Sequence, residues 1–247
     1  MIILKGGTHL FALLLALLSS IGIFEFYGMA LPGRAVERWL AALTGSGLIF
    51  LPLAPDSRLA LASIALLFLI FALLFLFRIR DIANAAREVS FAILAFIYIP
   101  IMLMHLVMLR QTRFGIEWIL VIMLIVMSGD SAAYYIGSAF GKNRLYPLVS
   151  PKKSIEGALG GLAGSICGTL LAKFTFFQQL TVTDAIVTAV VIGILGQSGD
   201  LFESMLKRSF GVKDSGTIFP GHGGVLDRLD SVLFATPVTY YYAVYFF

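Results

Sequence analysis

The sequence predicts an all-α, polytopic integral membrane protein of about eight transmembrane helices with a polar active site facing the cytoplasm. Three observations carry this reading. Of 247 residues, 59% are hydrophobic and only 13% charged, and the mean hydropathy of +0.94 is too high for a soluble domain, which must keep a charged surface. The apolar residues fall in long uncharged windows of membrane-crossing length. The remaining charges are gathered into short stretches, the densest of which, 199–230, holds four aspartates, one glutamate, two lysines, two arginines and a histidine.

The candidate spans are roughly 10–31, 39–55, 59–77, 89–109, 114–134, 157–173, 183–200 and 230–247. The first has the outline of a signal peptide, a lysine followed by LFALLLALL, but Glu25 and the aromatic run 24–27 make a poor cleavage site, so it reads as a retained helix. A carboxylate such as Glu25 near a span end is costly unless it finds a partner or reaches the interface. Residues 1–110 carry no internal repeat and read as scaffold, while 111–247 carry the chemistry. The stretch RIRDIANAARE, 78–88, reads as a short amphipathic connector at the cytoplasmic surface. His105, in an otherwise apolar span, is expected to be hydrogen-bonded structure rather than a ligand.

Asp130 lies in the uncharged run 118–141, and a carboxylate inside a span is a functional candidate by default. Downstream, Ser150-Pro151 is expected to turn the chain and Ser154 to cap a helix whose first turn carries Glu156. Lys152 and Lys153 then stand beside a helix N-terminus, a ready site for phosphate. In GALGGLAGSICG, 157–168, small residues recur four apart, which fits either tight packing within one chain or a homodimer face. The single cysteine, Cys167, excludes an intrachain disulfide. The aromatic tail 240–247 suits the far membrane interface.

Orientation follows from the basic residues in alternate loops. Arg34, Arg38, Arg78, Arg80, Arg87, Lys142, Arg144, Lys152, Lys153, Lys207, Arg208, Lys213 and Arg228 fall on one side; Lys5, Arg58, Arg110, Arg113 and Lys173 complete the 18 on the other. The positive-inside rule makes the larger set cytoplasmic. The polar loop then faces the compartment that holds nucleotide triphosphates.

Within that loop, Asp200, Ser204 and Lys207 fall at i, i+4 and i+7, so a continuing helix puts a carboxylate, a hydroxyl and an ammonium on one face. After a Gly/Pro-rich turn, Asp227 and Asp230 stand at i, i+3 where the last span begins. Two acidic clusters that converge need a cation between them, and oxygen ligands point to magnesium. Lys207, Arg208, Lys213 and Arg228 would share the charge of a triphosphate with the metal.

These residues also carry a resemblance. Ser204-x-x-Lys207-Arg208, Lys213-Asp214-x-Gly216, Pro220-Gly221-His222-Gly223-Gly224 and Asp227-Arg228-x-Asp230, preceded by Phe140-Gly141-Lys142 and Ser150-Pro151-Lys152-Lys153-Ser154-x-Glu156-Gly157, resemble the signature of phosphatidate cytidylyltransferases, or CDP-diacylglycerol synthases. The chain departs from that pattern at Ser131-Ala132, where many relatives have Thr and Gly. The resemblance implies transfer of CMP from CTP to phosphatidic acid in the bilayer, with magnesium at Asp200, Asp227 and Asp230 and a second cation left open. It places Asp200, Ser204, Lys207, Asp227 and Asp230 at the chemistry. Asp130, Lys152, Lys153, Arg208, Lys213, Asp214, His222 and Arg228 would hold the substrates; no nucleic acid is expected as partner. Two rival classes share parts of the pattern: a CTP-dependent lipid-alcohol kinase, or an archaeal-type CDP-ether-lipid synthase, on the enzyme side, and a transporter on the other.

Overall fold

A computed structural model describes residues 5–56, 58–219, 221 and 223–247. It is helical nearly throughout, and among the described residues six stretches are long and apolar enough to cross a membrane. These are α1 (Thr8–Ala30), α3 (Arg58–Phe77), the composite Ile82–Arg110, α6 (Gly115–Phe140), α7 (Ile155–Thr175) and α8 (Val182–Ser209). The composite holds α4 (Ala85–Phe96) and α5 (Met102–Arg110), joined through one π-helical turn, Ile97–Ile101. Pro100 sits in that turn, where its missing N–H and its ring break the regular ladder.

The other two expected spans, 39–55 and 230–247, are helical but fall outside those six. The window 39–55 is α2 (Ala35–Gly47) followed by a 3-10 stretch, Leu48–Leu53, that contains Pro52. Thirteen α-helical residues cover only about 20 Å, against a hydrocarbon core of about 30 Å. The last window falls in α9 (Leu226–Tyr245), whose first turns carry Asp227, Arg228 and Asp230. The expected turn at Ser150-Pro151 is also corrected. Arg144–Tyr146 (β1) and Ser150–Ser154 (β2) pair antiparallel, and the chain reverses at 147–149. Pro151 is tolerated because this two-stranded ladder leaves each strand an open edge.

The chain divides into two compact units. One runs to Met108 and includes Asp214–Asp227; the other comprises Leu109–Lys213 and Arg228–Phe247. The segment Asp214–Asp227, assigned on sequence to the C-terminal half, thus packs with the N-terminal helices.

In the first unit α1 is the centre, packed by α2 and α4. Helix α3 buries only Leu67, Phe71 and Phe75, a stripe at i, i+4 and i+8, and leaves its remaining Leu, Ile and Phe residues outward, as a lipid-facing helix does. Arg34, counted on sequence among the topology charges, is 2% exposed. Its guanidinium donates to Glu37 (3.0 Å), Glu88 (2.5 Å) and the Arg78 carbonyl (2.8 Å). Arg38 stacks over the Phe24 ring at 3.4 Å and donates Nε–H to the Phe24 carbonyl. Both arginines therefore serve packing of the unit as well as charge bias. His105 Nδ1 lies 2.7 Å from the Ile101 carbonyl oxygen, which is the structural role expected of it.

In the second unit α6 packs along α7, and α7 along α8. The small residues of 157–168 are used in the first of these contacts. A Cβ at Gly164 would lie 2.6 Å from the Ser128 carbonyl oxygen and one at Gly161 3.1 Å from that of Gly129, so the two backbones touch. Close packing within one chain accounts for the run. At the far end the Trp118 ring meets Phe177, Tyr242 and Phe247, which anchors the aromatic tail.

Candidate active site

The second unit holds a cavity of about 570 Å³ between α6, α7, α8 and the β-hairpin. Local sequence explains how it is built. Ser154 caps α7 by accepting the Gly157 N–H at 3.1 Å. Glu156 reaches back to accept the Lys142 N–H, the Asn143 N–H and the Asn143 side-chain amide, which ties the Phe140-Gly141-Lys142 segment to the start of α7. The hairpin between these two fixed points carries Lys152 and Lys153. Lys153 Nζ turns inward and pairs with Asp200 Oδ2 at 2.5 Å, each side chain 31% exposed.

Asp130, Asp200, Lys152, Lys153, Arg144, Tyr134 and Gln197 line this cavity with Ala133, Gly137, Gly157, Ala158 and Leu145. The lining thus mixes two carboxylates and three cations, contributed by α6, the hairpin and α8, with small and apolar residues. Asp130 lies ten residues before the end of α6 and Asp200 nine before the end of α8, so both are set roughly 14–15 Å along their helices from those ends. Asp130, Asp200 and Asp230 stand near enough to repel one another, with Lys153, Lys207 and Arg228 as the compensating charges.

Helix α8 continues past the expected span, so the predicted i, i+4 pair exists: Ser204 Oγ lies 3.4 Å from Asp200 Oδ1. Lys207 is drawn to a different partner. It is 8% exposed and pairs at 3.2 Å with Glu203, which is fully buried one turn earlier. Asp230 Oδ1 accepts the Ser231 N–H at 2.6 Å. Arg228, Lys213 and Arg208 are exposed, and Arg208 donates to the Val212 carbonyl at 3.1 Å.

In the first unit the signature loop is organised by carboxylates. Asp227 Oδ2 accepts the Ser215 N–H (2.8 Å), the Ser215 hydroxyl (2.8 Å) and the Gly224 N–H (2.7 Å). Glu25 accepts the Val225 N–H (3.0 Å) and the Leu226 N–H (2.9 Å), and its Oε2 lies 3.1 Å from the Ser215 hydroxyl. The tip is closed by Phe219 N–H donating to the Gly223 carbonyl at 2.9 Å. Asp214 is exposed at the start of the loop. His222 lies outside the described residues.

Comparison with known proteins gives the family. The profile of the cytidylyltransferase family matches residues 1–246. The chain belongs to the cytidylyltransferase family. It is 35% identical over 243 residues to the phosphatidate cytidylyltransferase of Staphylococcus haemolyticus (strain JCSC1435), covering 96% of this chain and 90% of that protein. It is likewise 35% identical over 248 residues to that of Staphylococcus epidermidis (strain ATCC 12228 / FDA PCI 1200). Against that of Bacillus subtilis (strain 168) identity is 40% over 157 residues, 62% of this chain.

The magnesium expected from the sequence would be a hard cation, and the donors fit one by chemistry: carboxylates of Asp130, Asp200 and Asp230 with the Ser204 hydroxyl, and no sulfur or imidazole among the described lining residues. Among the described residues no three His, Cys, Asp or Glu side chains are grouped to hold a metal by themselves, so the expected trio of Asp200, Asp227 and Asp230 is no ready-made cage. Magnesium commonly takes one or two carboxylates and completes its octahedron with water and substrate phosphates. That suits an ion arriving with a triphosphate.

Sequence reasoning passed over several residues of this cytidylyltransferase. Glu203 was legible, being four residues before Lys207 on one helix face. Gln197 and Tyr134, polar groups in apolar spans, carried a weaker signal. Arg144 entered only as a topology charge, and Ser215 carried no local signal.

Proposed function

We propose that the protein transfers the CMP moiety of CTP to phosphatidate, giving CDP-diacylglycerol and pyrophosphate, with magnesium, at the cytoplasmic side of the membrane. The observation that carries this reading, beside family membership, is the Lys153–Asp200 pair in a cavity lined by both charged and apolar residues among helices long and apolar enough to cross a membrane. Such a cavity suits a charged head group that keeps its acyl chains in lipid.

A phosphate oxygen of phosphatidate attacks the α-phosphorus of CTP, and the bond from that phosphorus to the bridging oxygen of the β-phosphate breaks. The nucleophile is already ionised, so no strong general base is required, and the protein contributes alignment and charge compensation. Magnesium, when bound, would supply positive charge at the phosphates. Asp200 with Ser204, and Asp130 or Asp230 beside them, are the groups to hold it. Lys153, the cationic partner of Asp200, would be a donor to a substrate phosphate. Lys152 and Arg144 at the cavity wall offer further donors. Asp227, in the loop of the first unit, is a further candidate carboxylate, held in place by the three donors on its Oδ2.

The test is purified protein with magnesium, phosphatidate and CTP labelled at either the α- or the γ-phosphorus. The proposal expects α-label in the lipid and release of pyrophosphate. Lipid labelled from the γ-position would instead identify a kinase, and absence of any labelled lipid would remove enzymatic use of CTP.

A further inference from the structure

Glu25 stands near the end of α1, 190 residues before Ser215, and is 5% exposed. A carboxylate this buried is retained only where its oxygens are satisfied. Here they are satisfied by both ends of the signature loop: the Ser215 hydroxyl where the loop begins, and the Val225 and Leu226 N–H groups where α9 starts. The negative charge therefore sits on the unpaired amides at a helix N-terminus, where it is most favourable.

Two glycines show how closely the fit is drawn. A Cβ at Gly216 would lie 2.8 Å from Glu25 Cδ and 3.1 Å from its Cγ, and one at Gly224 2.5 Å from Cδ. The loop backbone is thus packed against this one carboxyl group from both sides. The Ser215 hydroxyl also bridges Glu25 Oε2 at 3.1 Å and Asp227 Oδ2 at 2.8 Å. It has a single proton, so the two carboxylates compete for it, and the orientation of Asp227 depends on where Glu25 stands.

We infer that Glu25 is a positioning residue: it clamps the two ends of the signature loop and through Ser215 sets the direction of Asp227, the loop's candidate metal carboxylate. The inference rests on the proposed function for the use made of Asp227, but the clamp itself can be measured without turnover.

The experiment uses the full-length protein in detergent, with Glu25→Gln, Glu25→Asp and Ser215→Ala. Three quantities are read: amide hydrogen exchange across 215–227, manganese affinity by electron paramagnetic resonance, and α-label transfer from CTP. Glu25→Gln keeps the volume but replaces an acceptor oxygen by a donor, so it should speed exchange at 224–226 at least tenfold. It should weaken manganese and lower kcat by about 10- to 150-fold, the range for losing a charged hydrogen-bond partner, with the KM for phosphatidate unchanged. Glu25→Asp should recover part of the affinity, since it restores the charge. Faster exchange with wild-type manganese affinity would reduce Glu25 to a structural clamp and overturn the inference, as would unchanged exchange. Should Glu25→Gln fail to fold, Ser215→Ala decides: a loss of manganese affinity of about threefold or more supports the relay, and unchanged affinity overturns it. If the wild type labels no lipid, the proposed function falls, while exchange and manganese binding still judge Glu25.

Discussion

Replacing Lys153 by Gln tests the centre of the cavity. The ammonium meets Asp200 at 2.5 Å, with both side chains 31% exposed. A hydrogen bond to a charged group contributes about 1.5–3 kcal/mol when sheltered and an exposed ion pair about 0.2–1 kcal/mol, so a pair one-third exposed belongs near 1.5 kcal/mol. If the same ammonium turns to a substrate phosphate during reaction, Lys153→Gln should lower kcat/KM about tenfold. Most of that loss should appear as a raised KM for CTP, because the proposal gives Asp200 to the metal and the triphosphate. Lys152 is exposed, and its backbone carbonyl rather than its ammonium meets Arg144. Lys152→Gln should therefore change the KM for phosphatidate alone, by roughly threefold or less. The assay is initial rate in mixed micelles with each substrate varied in turn. A Lys153→Gln enzyme within twofold of wild type for both substrates, or one less affected than Lys152→Gln, would refute the argument.

Other outcomes follow from the same geometry. Asp200→Asn and Asp227→Asn should both abolish turnover but part in stability: Asp200 holds a one-third-exposed ion pair whose lysine an asparagine oxygen can still accept from, so the change should cost under about 1 kcal/mol, whereas Asp227 accepts three hydrogen bonds and should cost about 1–3 kcal/mol. Thermal unfolding in detergent distinguishes them; equal Tm values would contradict the role given to Asp227. Gly164→Val should destabilise by about 1–3 kcal/mol through overpacking against α6, and a Tm unchanged by it would mean that α6 and α7 do not touch as described. A cysteine introduced at the exposed Thr217, with the exposed Cys167 replaced first, should react with an impermeant thiol reagent only from the cytoplasmic side. Reaction from outside intact cells would reverse the orientation.

Much of this architecture is written locally. Spans are legible because a bilayer imposes a single strong requirement, length without charge, and α1, α3, α6, α7 and α8 meet it openly. The window 39–55 misleads because hydropathy does not register that Pro52 and a 3-10 turn end the helix early. Ser154 as a cap and Asp200 with Ser204 on one face were readable because each involves neighbours within four residues. The strand at Ser150–Ser154 was not, since three residues of β1 supply its partner and no alternation of polarity marks it. Glu25 shows the limit most plainly. Its cost was visible in the sequence, but its partners lie 190, 200 and 201 residues away, and no local periodicity encodes a contact of that reach.

That distance also sets an order of events in the making of the protein. Glu25 is synthesised 190 residues ahead of Ser215, and at about 5–20 residues per second the interval is roughly 10–40 s. For that time the first helix carries a carboxyl group whose eventual hydrogen-bond donors do not yet exist. A chain that stops short of residue 215 never ends that interval. The contacts that close around Glu25 are ones that only a chain extended through residue 226 can make.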